Sequence, residues 1–307
     1  MAVAHDAVLL LAFGGPERPE DVRPFVERVL AGRRVAPGRI EEVAAHYDAI
    51  GGRSPLPEWT RRQAATLQAR LRARGTALPV TLGFRHSTPT IEQTLHALHA
   101  RGVERAIGVI MAAHDGPGSR DRYRQAADAA REALGAGAPR IDQSAGFHAH
   151  PGFVQANAAH VRAVEAAVPA AERAEAMLVF TAHSVPVEAS TLYADQVQES
   201  ARLVAEALGR PGYRIAYQSR SGAPESAWLE PDLEEVIDEE AARGTRHLLV
   251  CPIGFVCDHV EVVYDLDHQA ATHARARGIA LHRAATAGTH PAFIDALADR
   301  VLDAARR

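Results

Sequence analysis

The 307-residue chain contains no lysine: each of its 34 basic residues is an arginine, set against 38 Asp and Glu, for a formal net charge of −4. Without a basic excess it lacks the electrostatic footprint of a nucleic-acid binder, and no polyanionic partner is expected. Cysteine is almost absent. The two present, Cys251 and Cys257, sit in CPIGFVC, whose spacing fits neither a zinc knuckle nor a redox C-x-x-C and excludes a disulfide framework. The opening MAVAHDAVLLLAFGG has too short an apolar run, and no basic segment before it, to read as a signal peptide or a membrane span, so a cytoplasmic protein without stable membrane insertion is expected. Neither G-x-G-x-x-G nor G-x-x-x-x-G-K-[ST] occurs at the glycine turn LAFGGP, so a dinucleotide or nucleoside triphosphate is not indicated there.

What is present is a globular balance, 47% hydrophobic and 23% charged, long enough for one large or two ordinary domains. Short apolar runs alternate with segments of helical period. AVLLLAF (7–13), LPVTLGF (78–84), AIGVIMA (106–112), MLVFTAH (177–183), YRIAYQS (213–219) and HLLVCPIGF (247–255) read as buried parallel strands. Between them EWTRRQAATLQARLRARG, TIEQTLHALHARG, DQVQESARLVAEALG and LEEVIDEEAARG read as helices closed by a C-terminal glycine. The alternation predicts an α/β fold. Two internal echoes divide it. ARGVERAIGVIMAAHD (100–115) resembles ARGTRHLLVCPIGFVCDH (242–259), and HPGF (150–153) resembles HPAF (290–293). Two similar Rossmann-like, doubly wound units are expected, 1–150 and 151–307, the strands of the second opening near Leu178 and the last helix free to pack back on the first. The site should lie between them, outside the carboxyl ends of the strands.

Three histidines fall just past apolar strands: His86, His114 and His183. His148 and His150, in FHAHPGF, look like a metal pair, but the following proline favours helix capping. In DHVEVVYDLDHQ, Glu261 and Asp265 are four apart, on one face of a helix, with Gln269 next in line. That row is either a solvated acidic face or a cation site, and a carboxylate facing an imidazole could accept protons or hold a divalent metal. GGRSPL offers Arg53 and Ser54 as donors to an anionic group.

At these residues the sequence resembles the ferrochelatases, which insert ferrous iron into a porphyrin to close haem synthesis. LAFGGPERPEDVRPF, HYDAIGGRSPL, LGFRHSTPTIEQTL, LVFTAHSVP, YADQVQESARLVAE, YQSRSGAPESAWLEPDL and PIGFVCDHVEVVYDLD occur in the family's order. The resemblance implies two Rossmann-like halves around a porphyrin cleft. It implies His183 and Glu261 as catalytic residues on opposite sides of the macrocycle, one receiving pyrrole protons while the other delivers the metal, with Asp265 as a further metal ligand. Phe13, Arg53, Ser54, His86, Tyr123 and Trp228 are implied as substrate-binding. A charged rather than apolar lip, ERPEDVRPFVERVLAGRRVAPGR, is similar to that of the short soluble bacterial members. These often take coproporphyrin III, whose four propionates could use Arg33, Arg34 and Arg53; protoporphyrin IX is next. Fe2+ enters as substrate, no cofactor is required, and a monomer is expected.

Three departures bear on activity. Phe13 stands where many members have tyrosine, Gln269 where the metal-guiding row often has glutamate, and MAAHDGPGS (111–119) replaces an apolar loop. No cysteine lies where cluster-bearing members place their ligands, so no iron-sulfur cluster is expected. The competing readings are a haem-binding or haem-delivery protein on the same fold, a chelatase for sirohydrochlorin or another tetrapyrrole, and a zinc hydrolase using His86, His114 and Glu261.

Overall fold

A computed structural model describes residues 5–32, 37–116, 119–221 and 227–307. The chain runs β1 (Ala7–Ala12), α1 (Pro19–Leu30), α2 (Arg39–Ala49), α3 (Leu56–Ala73), β2 (Val80–Phe84), α4 (Ile91–Ala100), β3 (Arg105–Ile110), α5 (Arg120–Leu134) and β4 (Arg140–Gln143). It then repeats the theme with α6 (Pro151–Glu165), β5 (Met177–His183), α7 (Thr191–Leu208), β6 (Tyr213–Gln218), α8 (Leu233–Ala242) and β7 (His247–Cys251). A continuous helical run follows: α9 (Val260–Val262), a π-helix (Val263–Ala270) and α10 (Ala271–Ala276). The chain closes with β8 (Ala280–Arg283) and α11 (Pro291–Ala305).

All strands are parallel, in two four-stranded sheets ordered β2-β1-β3-β4 and β6-β5-β7-β8. The second order is the first shifted by four strands, so the α/β fold is two repeats of one doubly wound plan. The sequence echoes mark that repeat: ARGVERAIGV carries β3 and ARGTRHLLVC carries β7. HPGF and HPAF open α6 and α11, where His150 and His290 cap through Nδ1, accepting from the amides of Gly152 at 3.1 Å and Ala292 at 3.2 Å.

β1 is buried at every residue because both its faces are covered. Val8 and Leu10 face a core shared with residues of α3, α6, α7 and α11 and with Leu178 and Phe180 of β5. Leu9 and Leu11 face α4 and α5, while the outer face of the second sheet is closed by Val236 and Ile237 of α8 and Leu266 of the π-helix. α11 packs against α6 and also against α3, where Arg70 of α3 and Arg74, which caps it, pair with Asp295 and Asp299. Among the described residues no helix is long and apolar enough to cross a membrane.

Two strands escape the sequence pattern. RIDQ (β4) and ALHR (β8) are four residues long and carry polar side chains. Each is an edge strand with one partner, so neither needs the apolar run of a central strand. The run HLLVCPIGF, expected as one strand, ends at Cys251 and turns through PIGF.

Candidate active site

The carboxyl ends of β5, β6 and β7 deliver three ionisable groups to one place. His183 is the last residue of β5, and its Nε2 lies 3.3 Å from Glu261 Oε1, in α9. The two side chains retain 28% and 37% exposure, enough to meet a ligand. His183 Nδ1 donates to the Ser184 carbonyl, which leaves Nε2 as the working nitrogen. Burial opposes a charged imidazolium, but the facing Glu261 carboxylate and the Ser184 carbonyl outweigh it, and His183 is raised above its ordinary value. Burial also opposes the Glu261 carboxylate, yet His183, with His259 behind it, holds that group well below the usual carboxylate range.

This contact overturns one expectation. A flat macrocycle between two groups needs a van der Waals contact of about 3.5 Å on each side, and the pair is separated by 3.3 Å in all. His183 and Glu261 therefore stand on the same wall of the site.

The expected single-faced row of carboxylates is also different in detail. Residues 263–270 form a π-helix, whose wider i→i+5 register changes which side chains align. Asp265 turns to the end of β6, where it accepts from Ser219 Oγ and from Gln218 Nε2 at 3.4 Å. Burial and the nearby Glu261 charge push Asp265 up to about 7. Gln269 points elsewhere, donating to Glu234 Oε1 at 2.9 Å. Among the described residues no group of three or more His, Cys, Asp or Glu side chains is arranged to hold a metal ion.

Four supporting residues carried no distinctive signal, because their roles are defined only by contacts across the chain. Gln218 donates to the Glu261 carbonyl as well as to Asp265. Ser219 holds Asp265 from a left-handed backbone at φ 62, a conformation non-glycine residues adopt at a cost. Tyr193, from α7, donates to the His183 carbonyl at 3.1 Å. His259 caps α9 by accepting from the Glu261 amide at 3.2 Å, and its Nδ1 is 3.8 Å from Glu261 Oε2.

The first sheet supplies a different set at its own carboxyl ends. Phe13 follows β1 and packs on His86, which follows β2, with ring centroids 4.7 Å apart. Arg85 lies over the rings of both Phe13, at 5.6 Å, and Tyr123, at 5.1 Å. Ser54 is buried beside Gly15, where an added Cβ would stand 2.4 Å from the Ser54 Cβ. Arg53, next to it, is exposed. Phe13, Phe25 and Tyr47 belong to a cluster against which Val260 also packs, and His46 of α2 stacks on Tyr264 of the π-helix at 4.0 Å, so the two sets are joined. Trp228 bridges to Pro186, three residues beyond His183. Arg33, Arg34 and part of the MAAHDGPGS loop lie outside the described residues.

His114 does not join His86 and Glu261. It is buried at the junction with α7, 3.0 Å from Ser200 Oγ, and burial and His148 together push it down to about 3. A zinc hydrolase built on those three residues has no geometric basis.

The coproporphyrin III ferrochelatase of Mycolicibacterium smegmatis is 42% identical over 304 residues, covering 97% of this chain and 89% of that protein. The ferrochelatase of Rhodopirellula baltica is 42% identical over 295 residues, covering 95% of this chain and 84% of that protein. SirB from Bacillus subtilis, solved with Fe3+, superposes with a TM-score of 0.62 over 97% of this chain and 95% of that one, at 14% identity, which shows the shared fold. The family profile for ferrochelatase matches residues 5–305, and the chain belongs to the ferrochelatase family.

Proposed function

We propose that this chain inserts Fe2+ into coproporphyrin III in haem biosynthesis, with His183 and Glu261 as its catalytic pair. The carrying observation is that pair, in contact at the carboxyl ends of β5 and β7, in a chain that matches ferrochelatases over nearly its whole length. Insertion exchanges one Fe2+ for two pyrrole protons. With its Nδ1–H committed to the Ser184 carbonyl, neutral His183 accepts the two pyrrole protons in turn at Nε2 and passes each to water before the next, while the ionised Glu261 stabilises the imidazolium between transfers. Glu261 is also the anionic donor that draws in the metal, which His183 contacts only while its Nε2 is unprotonated and Asp265 contacts separately along the approach. Fe2+ is substrate; no resident cofactor or iron-sulfur cluster is part of this reading.

The macrocycle is placed against the first unit's set, Phe13 and His86 as apolar walls and Arg53, Ser54 and Tyr123 as donors to propionates, with Trp228 of the second unit as a further apolar wall. A planar porphyrin shields its pyrrole nitrogens, so binding energy from the propionates is used to bend the ring toward the transition state. The same reading has residues 1–150 and 151–307 as two units of a cytoplasmic monomer.

The test is anaerobic insertion of Fe2+ into coproporphyrin III and protoporphyrin IX in parallel, followed by loss of free-base absorbance. Faster turnover of coproporphyrin III, reduced roughly 10²- to 10⁴-fold by His183→Ala and Glu261→Gln, is expected. Preference for protoporphyrin IX would reassign the substrate. Saturable porphyrin or haem binding with no turnover would instead favour a haem carrier, a reading motivated by Phe13 and Gln269.

A further inference from the structure

At the opposite end of the second sheet, two imidazoles meet outside the catalytic site. His247 opens β7 and His282 lies in the edge strand β8. In the parallel register His282 pairs with Leu249, two residues on from His247, so both side chains leave the same face of the sheet. His247 Nδ1 and His282 Nε2 are 3.1 Å apart. His247 Nε2 is 2.8 Å from Glu172 Oε2, which Arg246 also reaches at 3.2 Å. About 13 Å of strand separates His247 from Cys251, where β7 ends toward the catalytic pair.

Glu172 accepts the Nε2–H of His247. That leaves His247 Nδ1 as a bare acceptor aimed at His282, the tautomer a metal-ligating histidine requires. A carboxylate behind the imidazole is the usual outer partner of such a ligand. The separation decides whether one ion can use both nitrogens. With metal–nitrogen bonds of 2.0–2.1 Å, two imidazole nitrogens stand about 2.9 Å apart at a right angle and about 3.3 Å apart at the tetrahedral angle. The observed 3.1 Å lies between these, so the separation suits one ion once the two rings rotate to aim both nitrogens at it.

We propose that His247 and His282 form a second metal site, separate from the iron-inserting site, that binds one divalent transition ion of the Zn2+ or Cu2+ class with Glu172 as its outer-sphere anchor. Water completes the shell, since no third His, Cys, Asp or Glu side chain converges on it among the described residues. Imidazole donors suit Zn2+ and Cu2+, and Cu2+ stands highest in the order of affinities. When the ion binds, the His282 proton shifts from Nε2 to Nδ1, freeing the nitrogen that faces His247. Both rings need to be neutral.

The test is calorimetric titration of Zn2+ into the porphyrin-free full chain, with Cu2+ electron paramagnetic resonance as a second readout. Glu261→Gln removes the anionic metal contact of the catalytic pair and should leave one Zn2+ equivalent bound. His282→Ala and His247→Ala should each weaken that equivalent at least tenfold, and Glu172→Gln about tenfold. The Cu2+ spectrum should show two equatorial nitrogens in Glu261→Gln and lose them in its double variant with His282→Ala. Should His247→Ala fail to fold, His282→Ala, in an edge strand, and Glu172→Gln still decide. Undiminished binding in His282→Ala, or loss of all Zn2+ binding in Glu261→Gln, would overturn the proposal.

Discussion

The two sheets share one strand order, yet their carboxyl ends carry opposite chemistry. The first presents packed rings and donors of fixed charge: Phe13 on His86, the Arg85 cation across Phe13 and Tyr123, and Ser54 seated on Gly15. The second presents groups that change charge: His183, Glu261, His259 and Asp265, each shifted by burial and by its neighbours. A duplicated scaffold thus divides its labour. On the proposed reading one copy shapes a surface for a large ring, and the other holds protons and a cation.

The strongest break of this comparison is kinetic. Phe13→Ala, in the first unit, should raise KM for the porphyrin several-fold with a smaller change in kcat. Glu261→Gln, in the second, should lower kcat by roughly 10²-fold or more while the porphyrin Kd, read by fluorescence quenching, stays near that of the unaltered chain. Equal losses of porphyrin affinity in both variants would erase the proposed division.

Close packing provides the next test, because each copy seats its site residue against a glycine. A Cβ at Gly254 would stand 2.7 Å from the Ala182 Cα, immediately before His183, and one at Gly15 would stand 2.4 Å from the Ser54 Cβ. Gly254→Ala and Gly15→Ala should each destabilise by about 1–3 kcal/mol, read from urea midpoints. Their kinetic signatures should differ: Gly254→Ala lowers kcat because the neighbour that must yield is backbone, whereas Gly15→Ala raises KM.

A smaller effect is expected from Tyr193→Phe, which removes the hydroxyl that holds the His183 carbonyl. A loss of about 1 kcal/mol in stability and a few-fold fall in kcat with KM unchanged would mark Tyr193 as a positioning residue. The smallest concerns the seam between the units, where Arg70 pairs with Asp295. Arg70 depresses the Asp295 carboxyl, so its contribution is present above the unfolded value of about 3.9 and is lost as pH falls through the lower folded value. Asp295→Asn should therefore lower the urea midpoint slightly at pH 7, and the gap should close in acid; a gap that persisted there would have another cause.

Much of the fold was legible because strands covered on both faces are apolar: four of the six apolar runs are the central strands β1, β3, β5 and β7, and the other two are the edge strands β2 and β6. β4 and β8 were not, since an edge strand under one layer tolerates RIDQ or ALHR. His183 and Glu261 were legible from their motifs, and His150 as a helix cap from the proline that follows it. The same-wall geometry was not, because sequence order does not say which side of a cleft a side chain enters.

Composition and apolar periodicity by themselves determined an α/β chain of two echoing units, and the motif blocks determined its family. Only the tertiary structure decided that His183 and Glu261 touch, that a π-helix turns Asp265 to Ser219, and that His247 meets His282. Periodicity records which face of an element is dry. The distance between two charged or ligating atoms depends on how separate elements pack, and a separation of 3 Å is set by those contacts alone.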